Sequence, residues 1–306
     1  MSHYLKLSVA FIAVWAIALF AQNETLVSML LINASIQVIL FAFVACIPFL
    51  QTGRMSFVDL AWPFGVAAIG LMIITVGDGD ILRRTVAGLA YLFIGLRMGI
   101  GGLYAATKTG IIFRREFPRY KYRRLKLEES GNGNIEIHML VEIMVQGLAN
   151  TSVLALPGFL LATNGNSVFS AWEVIGITIL ITAYLLETVA DRQKTRFVSN
   201  DKKGVCNVGL WRYSRHPNYF SEWLVWTGLV ISAVSSWLLL LPSEQTLVWI
   251  TLGLGTVGAS MMMYLTLVFL TGAIPAEYYS VRKRPGYKHY QETTSMFFPW
   301  APKKCE

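Results

Sequence analysis

The stretch LVSMLLINASIQVILFAFVACIPFL, residues 26–50, runs for 25 positions without a charged side chain. A helix crossing the hydrocarbon core of a bilayer needs roughly 20 apolar residues, so this segment by itself reads as a membrane span. Working outward, seven more stretches qualify or nearly qualify: residues 5–21, 57–76, 85–106, 139–162, 171–190, 220–241 and 246–272. Over 306 residues the chain is 55% apolar and only 14% charged, well beyond what a soluble core requires. The expected fold is all-α, a polytopic membrane helix bundle of seven to eight transmembrane helices. Residues 1–56 are read as N-terminal transmembrane helices and 57–306 as one membrane domain.

Lysine and arginine set the orientation, because basic loops stay on the cytoplasmic side. If every stretch crosses, 23 of the 26 lysines and arginines share one face, most of them in residues 108–126, 192–215 and 282–304. Both termini are therefore expected in the cytoplasm. The net charge of +8 then serves topology and attraction to anionic lipid headgroups, or it holds an anionic ligand. No nucleic-acid-binding module accompanies these residues, so nucleic acid is not expected as a partner. The first span follows MSHYLK and is expected to be retained rather than cleaved as a signal, because another span follows almost at once. Cys46, Cys206 and Cys305 give no disulfide framework, and the topology puts the last two on the reducing side. The four histidines lack metal spacing, so no metal site is expected.

Two motifs carry little. Gly253-Leu254-Gly255-Thr256-Val257-Gly258 fits a dinucleotide fingerprint, but it lies inside the last span with no strand before it. Glycines there, like Gly95 and Gly99, are expected to let helices approach closely. Asn23-Glu24-Thr25 fits a glycosylation acceptor without further support.

Charged and polar groups inside a bilayer are costly, which makes each a functional candidate. Asp59 lies two residues into the third span, with Trp62 a turn later. Arg97 sits late in the fourth, either snorkelling or paired. His138, Glu142, Gln146 and Asn150 recur every four residues on the fifth, forming a stripe that faces the bundle interior; it either joins helices or lines a ligand cavity. Glu187, Asp191 and Lys194 share a face at the end of the sixth, through mutual pairing or toward a ligand.

The segment GLWRYSRHPNYFSEWLVW, residues 209–226, brings many such groups to the mouth of the seventh span. Pro217 suits the first turn of a helix, so that helix is expected to begin there. Its free N–H groups and positive dipole end, beside Arg212 and Arg215, make a ready phosphate site. Asn218 and Glu222 follow one turn apart on the same face, suited to ribose hydroxyls or an amide. An ordinary basic interface with an aromatic belt is the competing reading.

GLWRYSRHPNYFSEW resembles the signature of the bacterial DUF1295 proteins. These are a branch of the steroid 5α-reductase C-terminal superfamily, which also includes sterol reductases and, more distantly, isoprenylcysteine carboxyl methyltransferases. The resemblance covers most of the chain. Asp59 and Trp62 are similar to its D-x-x-W, Arg97 to the arginine of its fourth-span motif, and Glu116, Arg119 and Tyr120 to an acidic-x-x-R-Y element. Gln146, Gly147 and Pro157 resemble its Q-G…P segment, and Asp191, Gln193, Lys194 and Phe197 its D-x-Q-K-x-x-F. Glu277, Arg284, Pro285, Tyr287, Tyr290 and Pro299 resemble its ending. Ser221 stands where the family usually has Gly, and Tyr104 is the nearest tyrosine to one expected a turn after Arg97.

The resemblance implies an NADPH-dependent membrane reductase that adds hydride to the carbon-carbon double bond of a 3-oxo-4-ene steroid or similar lipid enone. It also implies the roles. Asp59 is the expected proton donor near the carbonyl, kept neutral by an apolar setting, with Tyr104 or Tyr91 sharing the task and Gln146 bonding substrate or nicotinamide. Asp191, Lys194, Arg212, Arg215, His216, Asn218, Glu222 and Glu277, with Tyr287 and Arg119, are the expected cofactor residues. Partners are membrane lipids and a lipid or steroid-like substrate entering sideways, in a bacterial inner membrane or one of endoplasmic-reticulum type. Two alternatives stand: an S-adenosylmethionine-dependent membrane methyltransferase, and a non-enzymatic lipid-binding protein.

Overall fold

A computed structural model describes residues 3–131, 133–201 and 203–303. Lys304 and Cys305 lie outside the described residues, as do the first two of MSHYLK. Thirteen α-helices account for most of the described chain: α1 His3–Ala18, α2 Glu24–Phe41, α3 Ile47–Thr52, α4 Val58–Val76, α5 Ile81–Thr109, α6 Pro118–Glu129, α7 Ile135–Thr151, α8 Leu156–Ala162, α9 Ala171–Asn200, α10 Pro217–Leu238, α11 Thr246–Leu265, α12 Ala273–Lys283 and α13 Tyr287–Thr293. Among the described residues the nearest approach to a strand is one isolated bridge, Ile111 to Arg115.

The helix starts and stops are local chemistry. Asn23, Asp80 and Asn134 accept hydrogen bonds from the backbone N–H groups of Leu26, Arg83 and Ile137 and so begin α2, α5 and α7. Gly53 and Gly110, both at φ 68°, close α3 and α5 in the left-handed conformation.

Among the described residues six helical stretches are long and apolar enough to cross a membrane: Glu24–Thr52, Met55–Val76, Ile81–Thr109, Ile135–Ala162, Ala171–Asn200 and Thr246–Lys283. The protein is thus an all-α polytopic membrane bundle. The count falls below the expected seven to eight for two reasons. α1 has only 16 residues, and α10, although 22 residues long, is diluted by Glu222, serines and tryptophans.

The chain divides into two compact units, Met1–Val174 with Val230–Ala259, and Ile175–Leu229 with Ser260–Glu306. In the first, α4 packs along α5 through glycine. A Cβ at Gly95 would lie 2.4 Å from both Ala67 N and Pro63 O, and one at Gly99 would lie 3.1 Å from the Phe64 ring. Gly255 has the same use on α11, where a Cβ would meet Leu156 at 2.4 Å and Val14 at 2.8 Å. Helix packing, rather than a dinucleotide turn, therefore accounts for that fingerprint. A buried amide network joins α2, α4 and α7. Asn33 donates to Asn150 O at 2.9 Å, Gln37 to Asn33 Oδ1 and Gly65 O at 3.0 Å each, and Asn150 to Trp62 O at 3.1 Å. Arg83 and Glu173 form a buried ion pair there as well.

The second unit folds the C-terminal tail back on α10. Phe297 and Phe298 pack against Phe220, Trp223 and Tyr264, with ring centroids 5.3–6.1 Å apart.

Candidate functional site

In the second unit α10 begins at Pro217, as its sequence predicts. The turn before it is stapled to the tail: Arg215 N donates to Ser295 O at 2.8 Å and Ser214 Oγ to Phe297 O at 2.8 Å. Arg215 then turns inward. Its Nε and Nη2 meet Glu277 at 2.7 and 3.1 Å, and Nη1 donates to Gln291 O at 2.9 Å and to Thr294 O. Four of the five N–H groups of a guanidinium are thereby occupied. Glu277 also takes His216 Nε2 at 3.1 Å and Gln291 Nε2 at 2.6 Å. A carboxylate has about four lone-pair sites, so Glu277 is saturated from within the chain. Arg215, His216 and Glu277 come together as expected, but as a buried brace between the start of α10 and the tail.

His216 is 6% exposed and its ring stacks on Tyr219 at 5.2 Å. Burial holds its imidazole below the ordinary range, against the pull of Glu277. Tyr287 and Tyr290 are buried beneath the brace, and burial keeps both hydroxyls protonated. Tyr290 donates to Trp211 O.

The remaining candidates form a different set. Asn218 Nδ2 donates to Asp191 Oδ1 at 3.1 Å, which fixes the amide so that its oxygen points the other way. That oxygen is buried and has no hydrogen-bond partner among the described residues. Glu222, one turn on and 5% exposed, accepts from Trp226 Nε1 at 3.1 Å. Lys194, one turn after Asp191, holds its ammonium 4.3 Å from the Trp211 ring centre, and Arg212 is exposed.

This donor and acceptor set has the chemistry to hold a nucleotide. An orphaned carbonyl oxygen calls for an N–H or O–H donor, which a carboxamide or a ribose hydroxyl provides. Asp191 and Glu222 add acceptors, and Lys194 and Arg212 add positive charge for phosphates.

In the first unit Asp59 meets two hydrogen-bond donors. Arg119 Nη2 is 2.7 Å from Asp59 Oδ2, and the Tyr120 hydroxyl donates to Oδ1 at 2.9 Å. Both carboxyl oxygens thus have a donor, and the more deeply buried of the two donors is Tyr120. That residue is 2% exposed, and burial, with the Asp59 charge beside it, keeps its hydroxyl firmly protonated. Arg119 also lies 4.3 Å from the Phe117 ring centre. Within the first unit its partners are thus Asp59 and the aromatic rings beside it.

The two tyrosines expected to assist Asp59 have different settings. Tyr104 is 64% exposed, with Lys108 Nζ 5.8 Å from its ring centre. Tyr91 is buried, donating to Leu154 O at 2.7 Å and accepting from Gly158 N at 3.2 Å. Glu116 caps the start of the Asp59 helix through Met55 N at 2.7 Å and Ser56 N at 3.0 Å.

The polar stripe of α7 is mostly mortar between helices. Glu142, 3% exposed, is bonded by Arg123 Nε at 2.6 Å, and Asn150 belongs to the amide network. Gln146 is half-buried and makes a long 3.4 Å contact to Glu142 O. Tyr120, to which the sequence reading gives no role, closes the E-x-x-R-Y element beside Arg119 and donates to Asp59. Among the described residues no group of three metal-ligating side chains occurs.

Comparison with known proteins adds a family and no activity. An uncharacterized protein of Schizosaccharomyces pombe is 29% identical over 169 residues, 48% of this chain and 45% of that protein, so the match spans less than half of that relative's length. No solved structure matches the chain. The profile of a family described as Protein of unknown function (DUF1295) matches residues 47–294, most of the sequence. The chain belongs to the DUF1295 family.

Proposed function

We propose that this protein is an integral membrane reductase that transfers hydride from NADPH to the carbon-carbon double bond of a lipid enone, such as a 3-oxo-4-ene steroid. The observation that carries the reading is the acceptor set at the start of α10: Asp191, Glu222 and the partnerless buried oxygen of Asn218, with Lys194 on the adjoining helix. Asn218, Asp191 and Glu222 would hold the ribose and carboxamide, and Lys194 and Arg212 the phosphates. The bound nicotinamide supplies the hydride.

The chain itself must supply a proton and stabilise negative charge as an enolate develops on the substrate. Tyr120 is suited to the first task, since its hydroxyl is buried and protonated. Asp59 orients that hydroxyl by accepting its hydrogen bond, and Arg119, paired with Asp59, presents positive charge beside it. The buried Arg215–His216–Glu277 brace fixes the backbone from which Asn218 and Glu222 project. Gln146 is suited to hydrogen-bond substrate. The charged and polar groups gather at helix ends while the exposed helix faces remain apolar, which suits a soluble cofactor and a substrate arriving from lipid.

The test is transfer of label. The purified protein would be given NADPH deuterated at the transferable position, together with a 3-oxo-4-ene steroid or an acyclic lipid enone. Deuterium at the carbon β to the carbonyl in either product supports the reading. Failure to label either enone, with stabilisation by S-adenosylmethionine and not by NADPH, would replace it with the methyltransferase.

A further inference from the structure

A second polar feature lies in the first unit, built from none of the residues assigned to cofactor or substrate. The loop after α5 folds tightly on itself: Arg114 N and Arg115 N both donate to Gly110 O, at 2.8 and 3.0 Å, and Ile112 N donates to Arg115 O at 2.9 Å. Ile112 is fully buried and adopts φ 76°, a conformation rare for a β-branched residue. Arg54 holds the loop from below through Ile112 O at 3.2 Å and Phe113 O at 2.9 Å. The result is a fixed, open concavity of about 450 Å³, lined by Thr107, Lys108, Thr109, Phe113, Arg114 and Arg115.

Three cations border this hollow and no carboxylate lines it. Glu116, next in sequence, is turned to the backbone of Met55 and Ser56. Neither the Arg114 nor the Arg115 guanidinium is engaged by another described residue. Lys108, in the last turn of α5, also offsets the negative end of that helix dipole. Immediately before the hollow, α5 exposes Ile100, Leu103 and Tyr104, at 58%, 40% and 64%, and Phe113 is 44% exposed at its rim. An apolar helix face that ends in a cluster of uncompensated cations matches a lipid with acyl chains along the helix and a phosphate at its head. A freely soluble phosphate would make no use of the apolar face.

We infer that Lys108, Arg114 and Arg115 form a binding site for the phosphate headgroup of an anionic membrane phospholipid. The inference does not depend on the reductase reading. The full chain, purified in mild detergent, would be unfolded thermally against increasing short-chain phosphatidylglycerol, short-chain phosphatidylcholine or inorganic phosphate. Phosphatidylglycerol should stabilise saturably and phosphatidylcholine should not. In Arg114→Gln/Arg115→Gln, whose side chains are exposed and whose unliganded melting temperature should match the parent, the apparent affinity should fall about 30-fold, since each surface cation contributes roughly fivefold. Arg114→Lys/Arg115→Lys should retain most of it. Equal stabilisation by phosphatidylcholine, or an unchanged affinity in the glutamine variant, overturns the site. Stabilisation by inorganic phosphate as strong as by phosphatidylglycerol overturns the lipid assignment and leaves a soluble phosphate as the ligand.

Discussion

Replacing Glu277 with alanine should destabilise the protein whether or not a nucleotide is present. The carboxylate takes four contacts, from Arg215 at 2.7 and 3.1 Å, His216 at 3.1 Å and Gln291 at 2.6 Å. Arg215 and His216 are only 8% and 6% exposed, so water cannot replace what is lost. Removing one partner of a buried ion pair costs about 3–5 kcal/mol, because the other charge stays buried without compensation. At roughly 2 °C per kcal/mol for a chain of this size, the melting temperature should fall by roughly 6–10 °C. Removing both charges together, as Arg215→Met/Glu277→Leu, should recover much of that loss, since no orphan charge remains. The assay is thermal unfolding in mild detergent, with and without NADPH. If Glu277 served only as a cofactor ligand, the alanine variant would melt like the parent without nucleotide and lose only the NADPH-dependent increment. That result would refute the assignment of Glu277 to the brace.

Three other outcomes are expected. Tyr120→Phe should lower turnover on the substrate by roughly 100-fold, the range of a lost general acid, while sparing NADPH stabilisation; Tyr104→Phe should change neither, and a large loss in Tyr104→Phe would reverse the assignment. His216, held below its ordinary range by burial, stays neutral in the folded chain while the unfolded chain takes up a proton near about pH 6.5. Its contribution to stability is therefore complete above about pH 6.5 and declines as pH falls below it; melting temperatures between about pH 7.5 and 5.5 should decline less steeply in His216→Gln, and equal slopes would contradict the burial. Gly95→Val should lower stability by about 1–3 kcal/mol or more, read by the same thermal assay, because even a Cβ there meets α4 backbone at 2.4 Å; a neutral effect would mean that α4 and α5 separate without cost.

Features set by neighbours along the chain are legible in the residue pattern alone. Pro217 marks the start of α10 because proline suits only certain helix positions, and Gly95 and Gly255 mark close helix contacts because their spans are otherwise bulky. Features made by distant partners are not legible in this way. Asp59 meets Tyr120 across 61 positions and Arg215 meets Glu277 across 62, so a residue pattern names these groups without saying which of them pair. Hence the sequence names Asp59 without showing the cation and the phenol beside it, and names Glu277 without showing that it also holds the chain together. The amide network is partly readable: Asn33 and Gln37 are four residues apart in an uncharged span, which places two costly polar groups on one helix face. Hydropathy gives the membrane class, but the span count depends on where helices end, which for α1 and α10 is decided by length and by polar dilution.

The central claim is that the start of α10 grips a nucleotide, and direct equilibrium binding of NADPH to the purified protein tests it most closely. Saturable binding at one site per chain, abolished in Glu222→Ala and weakened in Asn218→Leu while both variants keep the parent's helical content, is the predicted result. Binding of NADPH with the same affinity in both variants, or no binding to the parent, would contradict it.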